Sequence, residues 1–143
     1  MVKINNIIEK LRSSGLRPTK QRVQISRALF ETEKTFHFTI ENLKTMIERN
    51  FQEKISLATL YNTVHAFKKK GYIKEIPLKG NKTYYDTNIK RHHHFFDEDN
   101  QTLSDISEDV VKINKIPKCP VNKKIKNIEI LIRVETDNLN QKK

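Results

Sequence analysis

The chain has 143 residues, a formal net charge of +11 and a hydrophobic fraction of 36%, with a single cysteine, Cys119. That length allows one ordinary domain or two small ones, and the lone cysteine excludes an intramolecular disulfide or a structural zinc held by several cysteines of one chain. There is no run of about 18 apolar residues and no N-terminal apolar stretch ending in small residues, so the expectation is a cytoplasmic protein with no membrane partner.

The richness in Lys, Ile and Asn fits a low-GC genome, so the distribution of charge carries more than its total. Residues 1–85 hold 17 Lys+Arg against 7 Asp+Glu, whereas residues 86–143 hold 11 against 10. Codon bias would spread lysine evenly. A basic first part beside a near-neutral second part is the electrostatic footprint of nucleic-acid binding on the first.

In chain order, Ile4, Ile7, Ile8 and Leu11 follow helical spacing, and Gly15 can close that helix. Pro18 breaks the chain, Thr19 is placed to cap, and Val23, Ile25, Ala28 and Leu29 supply the apolar side of a second helix. A third begins after Thr39, with Ile40, Leu43 and Ile47 on one face. The fourth, in "ISLATLYNTVHAFKKKG", has Ser56 as cap, Leu57, Leu60, Tyr61, Val64 and Phe67 at helical spacing, and Gly71 as stop. Its last turn carries Lys68, Lys69 and Lys70, which complement the helix dipole. "YIKEIPLKGNKTYYDT" reads as two short strands around the turn "KGN".

Short helices followed by a hairpin is the order of a winged-helix domain, whose last helix enters the major groove. Thr59, Asn62 and Thr63 stand on the polar side of the fourth helix, suited to base edges and phosphates, and an asparagine can pair bidentately with adenine. Arg17, Lys20, Gln21 and Lys82 are candidate phosphate contacts. The whole DNA-facing set is Arg17, Lys20, Gln21, Ser56, Thr59, Tyr61, Asn62 and Lys82. The bland alternative is that these are ordinary solvent-facing residues of a helical bundle, and the charge asymmetry weighs against it.

Beyond residue 90, "HHHFF", "TLSDIS" and "IEILIRVE" read as strands, with a Lys-rich connection between the second and third. In the last, Ile128, Ile130, Ile132 and Val134 alternate with Asn127, Glu129, Leu131 and Arg133, the period of a half-buried strand. About 50 residues with a few strands make a marginal core alone, so pairing with a second copy is the economical reading. In the run "KRHHHFFDED", a strand would put His92 and His94 on one face and His93 on the other. Such a run can be a metal site, a haem site or a solvated accident.

"LRPTKQRVQI", "HFTIENL", "ISLATLYNTV", "GYIKEI", "KTYYDT" and "HHHFF…LSDI", in this order over roughly residues 10–135, resemble the ferric uptake regulator family. "SLATLYNTV", "KTYYDTN" and an HHHFF without nearby cysteines are most similar to its iron response regulator branch. The resemblance implies an α+β fold, with a winged helix-turn-helix domain at residues 1–86 followed by a small α/β dimerisation and sensing domain at residues 87–143. It also implies a homodimer on palindromic, AT-rich double-stranded promoter DNA, and regulation rather than catalysis.

The resemblance further implies a regulatory metal site at His37, Asp86, His92, His94 and Asp105. Such an N/O shell without sulfur suits Fe(II), Mn(II) or Zn(II). A set of three histidines and two aspartates also resembles the peroxide-sensing branch, which keeps a manganese-, zinc- or peroxide-sensing regulator as the alternative. The cysteine-bound structural zinc of many members is not expected, because Asp97 and Asn100 occupy two of its positions. A second family metal site is incomplete, with Arg91 and His93 at the traceable ligand positions.

The iron response branch also implies haem, taken by His92, His93 and His94 with Phe95 and Phe96 available to stack on a porphyrin. The Cys-Pro at Cys119 and Pro120 is read as part of a loop. A metalloenzyme on His92, His94 and Asp105 lacks a nucleophile with its own base and leaves the basic first half unexplained. An effector-free winged-helix protein would leave the histidines merely polar.

Overall fold

Three side-chain caps frame the helices of the first unit. The computed structural model describes residues 4–139, and the chain divides into two units, Met1–Ile89 and Lys90–Lys143. In the first, α1 (Ile4–Ser13) is followed by α2 (Lys20–Phe30), α3 (Ile40–Phe51) and α4 (Leu57–Lys70). Thr19, Thr39 and Ser56 accept from the backbone N–H groups of Arg22, Asn42 and Thr59, each satisfying a donor that the helix start would orphan. At Thr39 the exchange is reciprocal, because the Asn42 side chain accepts from the Thr39 N–H. Gly71 ends α4 at φ 88°, a left-handed conformation that a glycine adopts without steric cost. Thr39→Ala is expected to cost about 1 kcal/mol of stability, read as a lowered midpoint in thermal unfolding followed by circular dichroism.

Ile7, Leu11, Ile25, Leu43, Ile47, Leu60 and Phe67 are fully buried and form one core with Phe38 and Val64. Ile8 is half-buried, and the Ile4 side chain lies outside the described residues. Phe30 meets Phe67 edge-on at 5.2 Å between ring centroids, and the Lys10 ammonium lies 4.3 Å over the Tyr72 ring. The apolar stripe of α4 differs from the expected one. Leu60, Thr63, Val64 and Phe67 face the core, whereas Leu57 and Tyr61 are 48% and 47% exposed. Thr63 is therefore not on the polar side: its Oγ1 donates to the Thr59 carbonyl at 2.7 Å, which lets a hydroxyl sit in the core.

The small sheet of this unit has strand order β1 (His37–Phe38), β3 (Tyr85–Asp86), β2 (Lys74–Glu75), all antiparallel. β2 and β3 are the expected hairpin. β1 gave no signal in the sequence because two residues carry no readable period.

In the second unit, β4 (His92–Asp97) is central, antiparallel to β5 (Thr102–Ser107) and parallel to β6 (Leu131–Val134). A 3-10 turn, Glu108–Val110, is its helical element among the described residues, and residues 111–130 run as an irregular connection that includes Cys119. The β4–β5 turn is closed where cysteines would stand. The Asp97 carboxylate accepts from the Asp99 and Asn100 N–H groups and from the Asn100 amide. The last strand is shorter than its period-two pattern: only four residues pair, and Ile128 and Ile132 are 37% and 39% exposed. As an edge strand paired with β4 alone, β6 acquires no fully buried face within this unit.

Candidate functional site

Register places a histidine opposite an aspartate in each sheet. On β1 and β3, His37 stands across from Asp86, with His37 Nε2 3.3 Å from Asp86 Oδ2. Asp86 is 1% exposed, and its other oxygen accepts from the Asn88 N–H at 2.8 Å. A carboxylate so buried requires compensating positive charge or hydrogen bonds. On β4 and β5, His94 stands across from Asp105 and His92 is its diagonal neighbour. Asp105 Oδ1 lies 3.3 Å from His92 Nε2 and 3.4 Å from His94 Nε2, and the two imidazole centroids are 4.4 Å apart.

One hydrogen bond decides the chemistry of His92. Its Nδ1 lies 2.6 Å from the Lys90 carbonyl, which can only accept, so Nδ1 carries the ring proton. Nε2 faces a carboxylate oxygen at 3.3 Å, a contact that either a ring proton or a bound cation satisfies, and a carbonyl-oriented imidazole is the arrangement that metal ligands use. The spacing also fits. Two ligand atoms about 2.1 Å from one ion lie ~3.0–3.4 Å apart at octahedral to tetrahedral angles. The donors are imidazole nitrogen and carboxylate oxygen, with no sulfur, which suits Fe(II), Mn(II) or Zn(II).

The histidine run departs from its simplest strand reading. Alternation puts His92, His94 and Phe96 on one buried face and leaves Phe95 40% exposed, but His93, on the other face, is buried as well. Its Nδ1 accepts from the Ile130 N–H at 3.0 Å, while the Ile130 carbonyl accepts from the His94 N–H. The three imidazoles that the haem expectation assigned as ligands are thus all buried, at 6%, 5% and 4% exposed.

The other candidate residues lie on the first unit. Arg17, Lys20, Gln21 and Thr59 line one hollow with Thr19 and Arg22. Arg22 was not among the sequence candidates, although its place in the first turn of α2, beside Arg17, marks it. Gln21 also has a structural task, since its Oε1 accepts from the Ser56 N–H at 3.2 Å and joins α2 to the start of α4. Ser56 is the cap of α4. Lys20 pairs with Glu53 at 2.7 Å, and the Lys20 ammonium, then the Gln24 amide, hold the Glu53 carboxyl below its usual range. The pair is 72% and 45% exposed, so solvent screens it and a phosphate can displace the carboxylate. Tyr61 and Asn62 are exposed on α4, and Lys82 is exposed between β2 and β3, apart from the hollow.

The sequence model of the ferric uptake regulator family matches residues 13–133. The chain belongs to the ferric uptake regulator family. Among relatives, it is 33% identical over 91 residues to the peroxide-responsive repressor PerR of Staphylococcus aureus, a match covering 64% of this chain. The match spans 60% of that repressor's length. Among solved structures of the family, the ferric uptake regulator of Vibrio cholerae superposes with a TM-score of 0.68 at 20% identity, covering 90% of this chain and 98% of that one. The Pseudomonas aeruginosa ferric uptake regulator, solved with manganese, gives 0.65 at 18% identity, covering 92% and 98%. These likenesses establish the expected α+β, winged-helix fold of the family. No helix among the described residues is long and apolar enough to cross a membrane.

Proposed function

We propose that this protein is a cytoplasmic, metal-responsive transcription regulator that binds double-stranded promoter DNA as a homodimer and catalyses no reaction. The observation that carries the DNA half is the hollow where Arg17, Lys20 and Arg22 meet Thr59, on the unit that holds nearly all of the excess positive charge. In this reading α4 lies in the major groove with Tyr61 and Asn62 toward base edges, and the cations of the hollow hold phosphates. Lys82 grips the backbone beyond. Residues 1–86 serve as the DNA-binding domain and residues 87–143 as the dimerisation and sensing domain.

For the sensing half, we assign His37, Asp86, His92, His94 and Asp105 to one divalent ion. Its support is the family pattern together with the two His/Asp pairs, each of spacing and chemistry suited to a cation. When bound, the ion supplies the positive charge that holds carboxylates and imidazoles together. The Lys90 carbonyl fixes the His92 ring with Nε2 turned toward Asp105. An ion held by all five of these residues would make DNA affinity depend on metal.

"SLATLYNTV", "KTYYDTN" and the cysteine-free histidine run support iron as the signal, as in the iron response regulator branch. Haem through that run is disfavoured by the burial of all three imidazoles and by the bond that occupies His93. A second reading, a peroxide- or manganese-sensing regulator, is favoured by the PerR relative and the manganese-bound Pseudomonas structure. Promoter footprinting with metal-free, Mn(II)-loaded, Fe(II)-loaded and haem-loaded protein separates these. Mn(II) and Fe(II) are expected to give protection of an AT-rich palindrome that metal-free protein lacks, and haem to leave the footprint unchanged. Release of only the Fe(II) form by hydrogen peroxide would select the peroxide reading. A footprint indifferent to metal would sink the sensing half.

A further inference from the structure

A cavity of about 290 Å³ in the second unit is used by neither the metal nor the DNA reading. Arg91, Lys126, Asn127 and Glu108 line it with His93, which is 5% exposed and so its buried member. Arg91 and His93 are the positions at which the family resemblance traced an incomplete second metal site, and the structure shows why cation ligation does not suit them. The Ile130 N–H can only donate, so His93 Nδ1 is an acceptor and the proton of the neutral ring sits on Nε2. A metal on Nε2 would have to displace that proton and leave an imidazolate. His93 lines the cavity beside a guanidinium, an ammonium and an amide.

The charges of the lining, two cations against Glu108, leave a single net positive charge, which matches a monoanion. The rest of the wall is apolar, with Val111, Ile113, Ile125 and Ile128. At the ~30 Å³ that one water-sized unit occupies, the volume accommodates on the order of ten non-hydrogen atoms. We propose that this cavity binds a small organic monocarboxylate with a short apolar tail, its head held by Arg91 and Lys126 and its tail by Val111, Ile125 and Ile128. Arginine suits the head because its fork matches a carboxylate bidentately.

Isothermal titration of the metal-free full chain with hexanoate, hexan-1-ol, hexylamine and inorganic phosphate tests this without reference to DNA or to the His92/His94 site. Hexanoate is expected to bind saturably, and each of the other three at least about tenfold more weakly, the difference that one charge-assisted hydrogen bond provides. Arg91→Ala and Lys126→Ala, both exposed positions whose change leaves the core intact, should each weaken hexanoate by about tenfold on the same scale. Ile128→Ser should weaken hexanoate while leaving the fold, read by circular dichroism, unchanged. Equal binding of hexan-1-ol and hexanoate would overturn the proposal, as would hexanoate binding that survives both charge substitutions. Displacement of hexanoate by Zn(II) in the cavity would overturn it too, by making the lining a cation site.

Discussion

Changing His92 and His94 together to alanine is expected to reduce Mn(II) affinity by about four orders of magnitude. Four-ligand zinc sites bind with roughly 10–16 kcal/mol, so each ligand carries on the order of 3 kcal/mol, or about a hundredfold. Equilibrium dialysis with Mn(II) reads the loss directly, and footprinting reads the accompanying loss of metal-dependent protection. Non-specific DNA binding, carried by the basic first unit, should stay near the parent's. Because both histidines are buried, Asp105→Asn is the companion variant: its side chain is 43% exposed and the change is isosteric. It should lose roughly a hundredfold in Mn(II) affinity on the same per-ligand estimate. Unaltered Mn(II) binding in both variants would remove β4 from the metal site.

The second large effect is on DNA. Tyr61→Ala combined with Asn62→Ala changes two exposed positions of α4, so the helix and its buried stripe of Leu60, Thr63, Val64 and Phe67 should persist. Operator affinity is expected to fall by about 1–3 kcal/mol for each hydrogen bond to a base edge that the substitutions remove. Binding to unrelated duplexes should barely move. Lys82→Ala should behave in the opposite way, weakening all sequences alike and reducing the slope of log K against log salt by about one. Fluorescence anisotropy at several salt concentrations distinguishes the two patterns. A double variant that holds the operator as tightly as the parent would show that α4 is not the reading helix.

Much of the first unit was legible because its signals are local. A cap, a 3.6-residue period and a terminal glycine act within one or two turns, and Thr19, Thr39, Ser56 and Gly71 all stand where the sequence placed them. The α4 stripe was misread at one edge because Leu57 and Tyr61 keep helical spacing with the core residues while pointing to solvent. Hydropathy cannot tell an apolar core residue from an apolar residue held for a partner. Thr63 failed in the opposite sense, since a hydroxyl that bonds its own helix can be buried as readily as a valine.

The sequence by itself determined the division of charge, the helix boundaries, the absence of a cysteine pair and the alternation that sets His92 beside His94, all consequences of residue identity and short-range geometry. Only the tertiary structure decided cross-strand partners and protons. The pairing of His37 with Asp86 depends on a two-residue strand meeting another some 50 residues away, and no periodicity encodes that register. The chemistry of the histidines likewise rests on two backbone groups that no side-chain pattern reveals. The Lys90 carbonyl accepts the hydrogen bond of His92 Nδ1 and turns Nε2 toward Asp105, whereas the Ile130 N–H, brought in beside a parallel strand, makes His93 Nδ1 a hydrogen-bond acceptor. Adjacent, identical side chains acquire opposite roles because a neutral imidazole carries one proton, and its neighbours choose the nitrogen.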